Sequence, residues 1–418
     1  MSIRIMNRQK WWSLVIVLAV PLPLAFAADA AAQENESSAG ARDLWSALRD
    51  GQFAVQLRLR PESVSDEAFE LNAFASTLST ALGYKTLRWS GFQAFLEGQN
   101  VSVAGGDRYN NVGAGDLGNG HTDRPVVADP AQTHFNRWWL EFTAGKTSTR
   151  AGRQEILFDN HRFVGNVGWR QHHQTYEALT FTSTDIPRTK LTYAFVDRVH
   201  RVNGASQDNT THLVNASTDL GRVGEFSAYG YFLGFDDQAQ AGLSTSTVGG
   251  QLKGSRPIGG VKVLYAAQAA VQRNRANNPG TIRANYQTLM VGGQSGWLTL
   301  QASWERLSGS PADGQFTTTL ATLHAFNGWA DKFLKTPTKG LQDLRAMVAG
   351  KHGPVSWTAR YHDFRSATRS DSYGSEVDLQ VTYRSTWSQT FGGKVSLYRA
   401  DLHASDTSKI WCWTAYSF

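Results

Sequence analysis

Gln52–Arg60 reads Q-F-A-V-Q-L-R-L-R. Phe53, Val55, Leu57 and Leu59 fall on one side of an extended chain, and Gln52, Gln56, Arg58 and Arg60 on the other. Successive side chains of a strand point to opposite faces, so this period of two specifies a strand with one apolar and one polar face. The pattern returns at Val355–His362, where Val355, Trp357, Ala359 and Tyr361 alternate with Ser356, Thr358, Arg360 and His362. It is clearest at Glu376–Arg384, where Val377, Leu379, Val381 and Tyr383 alternate with Glu376, Asp378, Gln380, Thr382 and Arg384.

Working outward, strand-like segments recur near 71–83, 87–98, 134–144, 147–154, 174–183, 188–198, 210–219 and 223–234. Others follow near 243–254, 260–272, 282–292, 296–307, 342–350, 389–400 and 408–418. The total is about eighteen, each near the roughly ten residues that a tilted membrane strand needs. There is no βαβ rhythm, no long amphipathic helix and no sequence repeat. Short turns (83–87, 145–146, 185–187, 221–222, 255–260, 292–296, 350–354 and 385–388) alternate with longer connections at 61–70, 99–133, 155–173, 199–209, 235–242, 273–281, 308–341, 365–373 and 401–407. Turns short on one side and long on the other mark an outer-membrane barrel, and a soluble sandwich has no reason to segregate them. The fold class is therefore all-β: a transmembrane antiparallel up-and-down β-barrel with short periplasmic turns and long extracellular loops. The last strand, Lys409–Phe418 (K-I-W-C-W-T-A-Y-S-F), places Ile410, Cys412, Thr414, Tyr416 and Phe418 on one face. Its aromatic end resembles the assembly signal of bacterial outer-membrane proteins, and closure onto Gln52–Arg60 would remove an exposed edge.

The N-terminus agrees with export. Arg4, Arg8 and Lys10 precede an apolar run from Trp11 to Phe26 that holds two prolines and ends at Ala25-Phe26-Ala27, a secretory cleavage pattern. Residues 1–27 are read as a signal peptide, 28–50 as a flexible periplasmic leader and 51–418 as one barrel domain in the Gram-negative outer membrane. No later stretch is apolar and long enough for a spanning helix. A single cysteine, Cys412, excludes an internal disulfide framework. The chain holds 14 Trp, 13 Tyr, 21 Phe and 39 Gly, which suits interfacial girdles and turns, and 41% hydrophobic residues are compatible with strands that show lipid only every second side chain. Removing Arg4, Arg8 and Lys10 from 41 basic residues leaves 38 against 35 acids, a net charge of +3. So mild an excess, with no basic helical face, argues against nucleic acid.

Ala151–Leu179 (A-G-R-Q-E-I-L-F-D-N-H-R-F-V-G-N-V-G-W-R-Q-H-H-Q-T-Y-E-A-L) concentrates charge in one connection and also carries Phe158, Phe163, Val164, Val167 and Trp169. Apolar residues in a charged loop need a surface to cover, so this loop is read as folded into the pore. Gln56, Arg58, Arg60, Arg360, His362 and Lys394 fall in the lumen phase, with Glu376, Asp378 and Arg384 on a neighbouring wall. Rings of arginine and lysine favour anions, unless they pair with lumen acids and only stiffen the wall. Gly152–Gln171 (G-R-Q-E-I-L-F-D-N-H-R-F-V-G-N-V-G-W-R-Q) and Asp406–Phe418 (D-T-S-K-I-W-C-W-T-A-Y-S-F) resemble the alginate-export family of outer-membrane barrels. The resemblance implies a monomeric barrel of about eighteen strands whose electropositive constriction passes an anionic uronate polymer. It also implies that Arg153, Glu155, Asp159, Arg162 and Arg170 join Arg58, Arg60 and Arg360 at that constriction.

The expected partners are outer-membrane lipid, an anionic polysaccharide or acidic small solute, and the barrel-assembly machinery acting on the strand ending in Phe418. No cofactor or metal is expected, since the adjacent His172 and His173 would face opposite ways. The alternatives are a general or substrate-specific uptake porin and, as a different class, a barrel hydrolase. No G-x-S-x-G, H-E-x-x-H or Gly-rich phosphate loop supports an enzyme. A barrel without transport would need a plugged lumen, and about eighteen strands are too many for side chains alone to fill. Loops 99–133, 155–173 and 308–341 could cap or gate the opening. The last is expected to contain a short helix at 326–334 with Trp329 and Phe333 on one side.

Overall fold

A computed structural model describes residues 40–418. The expected signal peptide and residues 28–39 of the leader lie outside the described residues. The rest of the leader is not wholly flexible: Leu44–Arg49 form a short helix, α1. Asp43 caps it by accepting the Ser46 backbone N–H at 2.7 Å, which satisfies one of the amides that a helix start leaves open. Tyr84 donates its hydroxyl proton to the Leu48 carbonyl at 2.7 Å and accepts from the Gly51 N–H at 2.8 Å. These bonds seat the helix at the short-turn end of the barrel.

Twenty strands follow: β1 (Gln52–Asp66), β2 (Ala73–Lys85), β3 (Phe92–Arg108), β4 (Gln132–Ala144), β5 (Thr147–Gln154), β6 (Thr175–Ser183), β7 (Thr189–His200), β8 (Ser206–Asp219), β9 (Glu225–Phe232) and β10 (Thr245–Ile258). The second half holds β11 (Val261–Asn274), β12 (Arg283–Ser295), β13 (Leu298–Leu307), β14 (Gly309–Ser310), β15 (Gly314–Gln315), β16 (Leu341–His352), β17 (Val355–Arg365), β18 (Ser372–Arg384), β19 (Gln389–Ala400) and β20 (Thr407–Ser417). All but the small β14–β15 ladder belong to one sheet of eighteen strands. Each sheet strand pairs antiparallel with its neighbours in the chain, and β20 pairs with β1 from Gln56↔Ser417 to Asp66↔Thr407. That pairing closes the barrel at the strand whose alternation suggested it and leaves no open edge.

Several strands outrun the expected ten residues. β1 continues to Asp66 rather than stopping at Pro61. Pro61 still pairs with Ser76 on the β2 side, while the ladder to β20 skips Arg60 and Pro61. The missing proline N–H thus falls where the ladder is already interrupted. β3 likewise runs to Arg108, which shortens the expected 99–133 loop to 109–131.

The two faces are as the alternation requires. Along β18, Val377, Leu379, Val381 and Tyr383 are exposed outward, whereas Glu376 and Asp378 are buried inside. On β20, Ile410 and Cys412 face out, and Trp411, Trp413 and Ala415 turn into the lumen. Aromatic pairs gather at the short-turn end, among them Phe92–Phe142 with ring centroids 4.8 Å apart and Trp297–Trp357 at 6.4 Å. This is a girdle at the membrane interface.

The expected helix at 326–334 does not form. Asn327, Gly328 and Asp331 adopt positive φ of 54°, 85° and 63°, which a right-handed helix does not tolerate. Only a single 3₁₀ turn, Leu323–Ala325, occurs nearby.

Candidate functional site

Two long connections fold into the lumen, 155–174 and 316–340. Their backbones join: the Gly165 N–H donates to the Leu320 carbonyl at 2.9 Å and the Thr322 N–H to the His161 carbonyl at 3.0 Å. A Cβ on Gly165 would lie 2.2 Å from Thr322 Oγ1, so the approach needs glycine. Phe158, Phe163 and Val164 then insert into an aromatic core on one side of the lumen with Tyr229, Tyr231, Tyr286 and Phe316. Phe158 stacks on Tyr231 at 5.8 Å, and Phe163 meets Tyr286 edge-on at 5.1 Å. The apolar residues of the loop do find the surface they require.

On the opposite side Trp169 stacks on His324 at 5.1 Å and meets Trp411 and Trp413 edge-on at 5.9 and 5.3 Å. Lys394 Nζ lies 4.1 Å from the Trp169 ring and 3.7 Å from that of Trp329. It donates to His324 Nε2 at 2.7 Å, while His324 Nδ1 and Asp331 Oδ1 are 2.7 Å apart. Burial, reinforced by Lys394 and Arg170 and opposed by Asp331, holds the His324 pKa well below its usual value. Burial would raise the Asp331 carboxyl, but His324, Lys409 and Arg170 outweigh it and keep it well below the carboxylate range.

The expected constriction residues separate into three groups. Arg60, Arg162 and Arg170 are 1%, 2% and 7% exposed, and each is committed to acids. Arg60 holds Asp129 and the Trp169 carbonyl. Arg162 donates to Glu305 Oε1 and Asn327 Oδ1, both at 2.8 Å. Arg170 reaches Glu62 and Asp331, each at 3.2 Å. These three are therefore clamps rather than pore-lining groups, because burial between carboxylates leaves no face for a solute. Arg58 belongs with them in part: it donates to Gln171 Oε1 at 2.9 Å and to the Gly168 carbonyl at 3.0 Å, pinning the same loop to β1.

Glu155 and Asp159 lie in the lumen. Glu155 accepts from His173 at 2.6 Å, Asn166 at 2.9 Å and Arg137 at 3.2 Å. Burial opposes ionisation there, yet His173 and Arg137 push its pKa down to about 2. Asp159 accepts from Asn215 at 2.8 Å. Arg153 is displaced from the site: it pairs in register with Trp138 and Glu177 and shares the outward phase of Ala151 and Leu179. Gly152, at φ +121°, sits beside the Trp138 carbonyl at this outer end of β5.

Arg360 remains in the lumen with its guanidinium 4.7 Å from the Trp329 ring and no carboxylate within 4 Å among the described residues. Arg345 on β16, which the sequence reading passed over, is its companion. It is paired in register with His362 and shares the inward phase of Asp343. It too has no ion-pair partner among the described residues. The alternation of Leu344, Ala346 and Val348 against Asp343, Arg345 and Met347 carried the signal.

A closed eighteen-stranded antiparallel barrel with charged walls and loops folded into its lumen defines an outer-membrane channel of the porin class. The chain belongs to the alginate export family, whose model matches residues 50–311. The C-terminal stretch Asp406–Phe418, which also carried the resemblance, lies beyond the matched residues. Among solved structures the barrel is similar to Pseudomonas aeruginosa OccK9 (OpdG), at 14% identity and a TM-score of 0.69 over 89% of this chain and 99% of that one. It is also similar to P. aeruginosa OccK5 (OpdH), at 12% identity and a TM-score of 0.67 over 88% and 98% of the two chains. P. aeruginosa OpdK, crystallised with vanillate, matches at 14% identity and 0.66 over 88% and 98%. At these identities the likeness is one of fold. No curated protein matches the sequence.

Proposed function

We propose that this channel passes acidic solutes by diffusion, with Arg345 and Arg360 as the lumen groups that select for them. The supporting observation is that these two guanidiniums face the lumen without an ion-pair partner among the described residues, while Arg60, Arg162 and Arg170 are neutralised. A charge with no carboxylate in contact attracts one by about 4 kcal/mol at contact in an effective dielectric near 20, before desolvation and the wall acids across the ladder, such as Asp378 opposite Arg360, are charged against it. A paired charge offers little of this. Sugar acids and short oligouronates are the proposed solutes. Family membership favours a second reading, export of an anionic alginate-like polysaccharide, which needs a continuous path past the loops 155–174 and 316–340.

In this proposal residues 1–27 act as a secretory signal, residues 51–418 form a single barrel domain, and the channel is a non-enzymatic monomer in outer-membrane lipid. β20 together with the terminal Phe418 would serve the assembly machinery. Liposome swelling tests the selectivity. Proteoliposomes should admit galacturonate faster than galactose at low ionic strength, and Arg345→Gln with Arg360→Gln should abolish the difference. Equal entry of the acid and the neutral sugar into wild-type proteoliposomes would mean a general porin.

A further inference from the structure

At the extracellular end, above the Trp169 clasp, a cavity of about 460 Å³ opens between the loops 109–131, 155–174 and 316–340 and the end of β7. Four cations line it: Arg170, Arg201, Lys332 and Lys409. Three of them are paired. Lys332 holds Asp66 at 2.6 Å, Lys409 holds Asp331 at 2.8 Å, and Arg170 is shared between Glu62 and Asp331.

Arg201 differs. Its Nε donates to Gln207 Oε1 at 2.5 Å, and its Nη1 donates to Gln174 Oε1 at 2.6 Å and to the Thr319 carbonyl at 2.8 Å. All three partners are neutral, and no carboxylate lies within 4 Å among the described residues. These bonds fix the plane of the fork, and Nη2 of this cavity-lining side chain has no hydrogen-bond partner among the described residues. Burial pulls the guanidinium down to about 10, with only Tyr176 opposing. Arg170, beside three carboxylates, is instead raised above the usual value against its burial. A charge held rigidly by neutral partners at the wall of a cavity is preorganised for an anion supplied from outside.

The rest of the lining limits which anion. Val126, Val167, Val202 and Leu323 face the same cavity. They offer contact to an apolar body, and the charged and amide groups that share the lining are already engaged: Asp66 with Lys332, Asp331 with His324 and Lys409, and Gln174 with Arg201. We propose that this cavity is a capture site for small monocarboxylates with an apolar body, the carboxylate pairing with Arg201 and the body lying on the valine and leucine wall. The inference rests on the reading of the lumen as a path for acidic solutes, and it adds a separate outer subsite whose preference differs from that of Arg345 and Arg360.

The test uses the whole mature protein in detergent, with benzoate, benzamide and glucuronate as probes in titration calorimetry. Benzoate should bind more tightly than glucuronate, and neutral benzamide should not bind measurably. Arg201→Gln should weaken benzoate roughly 10- to 100-fold, the loss that one charge-assisted hydrogen bond corresponds to. Because Arg201 also bridges two loops, Val126→Asp is the second variant: Val126 is 40% exposed, and a carboxylate there should repel the probe without touching the interior. Benzoate affinity unchanged in both variants, or benzamide binding as tightly as benzoate, overturns the site. Galacturonate flux that persists when benzoate binding is absent overturns this site alone. Arg201-dependent benzoate binding with no acid-selective flux supports the site and overturns the channel reading.

Discussion

Arg162 and Arg345 are both guanidiniums inside the barrel, yet their surroundings assign them opposite roles. Arg162 is enclosed between Glu305 and Asn327; removing it strands a buried acid, which costs about 3–5 kcal/mol. Arg345 has no such partner, and changes away from committed contacts usually stay within about 0.5 kcal/mol. Arg162→Gln should therefore lower stability in urea by roughly 3 kcal/mol or more, while Arg345→Gln should leave it nearly unchanged and reduce anion preference. The opposite pattern would exchange the two assignments. The clasp at His324 adds a pH dependence. Its folded pKa lies below the unfolded value of about 6.5, so the neutral form favours folding and that stability is lost as pH falls through about 6.5. Asp331, also depressed, contributes above about 4 and loses its contribution below. The near-UV circular dichroism of the tryptophan cluster should thus hold steady from pH 8 to 7 and decline below about 6.5. A signal flat to about pH 4, or one that Trp169→Phe leaves unaltered, would contradict the clasp. Phase alone made Arg58, Arg360, His362 and Lys394 legible as inward residues. The burial of Arg60, Arg162 and Arg170 was not legible, because partners such as Arg162 and Glu305 stand 143 residues apart and leave no local pattern.

The strands were the most readable elements, since lipid outside and water or polar protein inside impose a period of two on each. β18 shows how strict that demand is. Leu379 is 48% exposed on the outer face, and Leu379→Arg near the membrane midplane should destabilise the barrel by about 2–4 kcal/mol. Gln380→Arg, one residue on and inward, should cost far less. Folding titrations into liposomes distinguish them, and equal costs would mean that the assigned faces are wrong. The loops were readable only in outline. Phe326, Trp329 and Phe333 have helical spacing, but each anchors to a different neighbour: Phe326 under Arg162 of loop 155–174 at 4.7 Å, Trp329 under Lys394 of β19 at 3.7 Å, and Phe333 on Phe364 of β17 at 4.4 Å. Three separate anchors pull the backbone into positive φ where a helix would have been continuous. Local periodicity cannot register such anchors, because they are set by the barrel and by loop 155–174.

For the molecule as a whole, loop 155–174 is held on one side by the aromatic core and on the other by the Trp169 clasp, so the charged wall left to solutes is narrower than the count of arginines suggests. A chain with 41 basic residues thereby presents few guanidiniums free to select. Closure of β20 on β1 and family membership establish the channel; its selectivity rests on Arg345 and Arg360. The decisive measurement is the reversal potential of single channels in a planar bilayer under a potassium chloride gradient, for the wild type and the Arg345→Gln, Arg360→Gln double variant. Wild-type current should reverse toward the chloride potential, and the double variant should shift toward zero at unchanged open-channel frequency. A wild-type channel that reverses near zero, or a double variant as anion-selective as the wild type, would contradict the assignment.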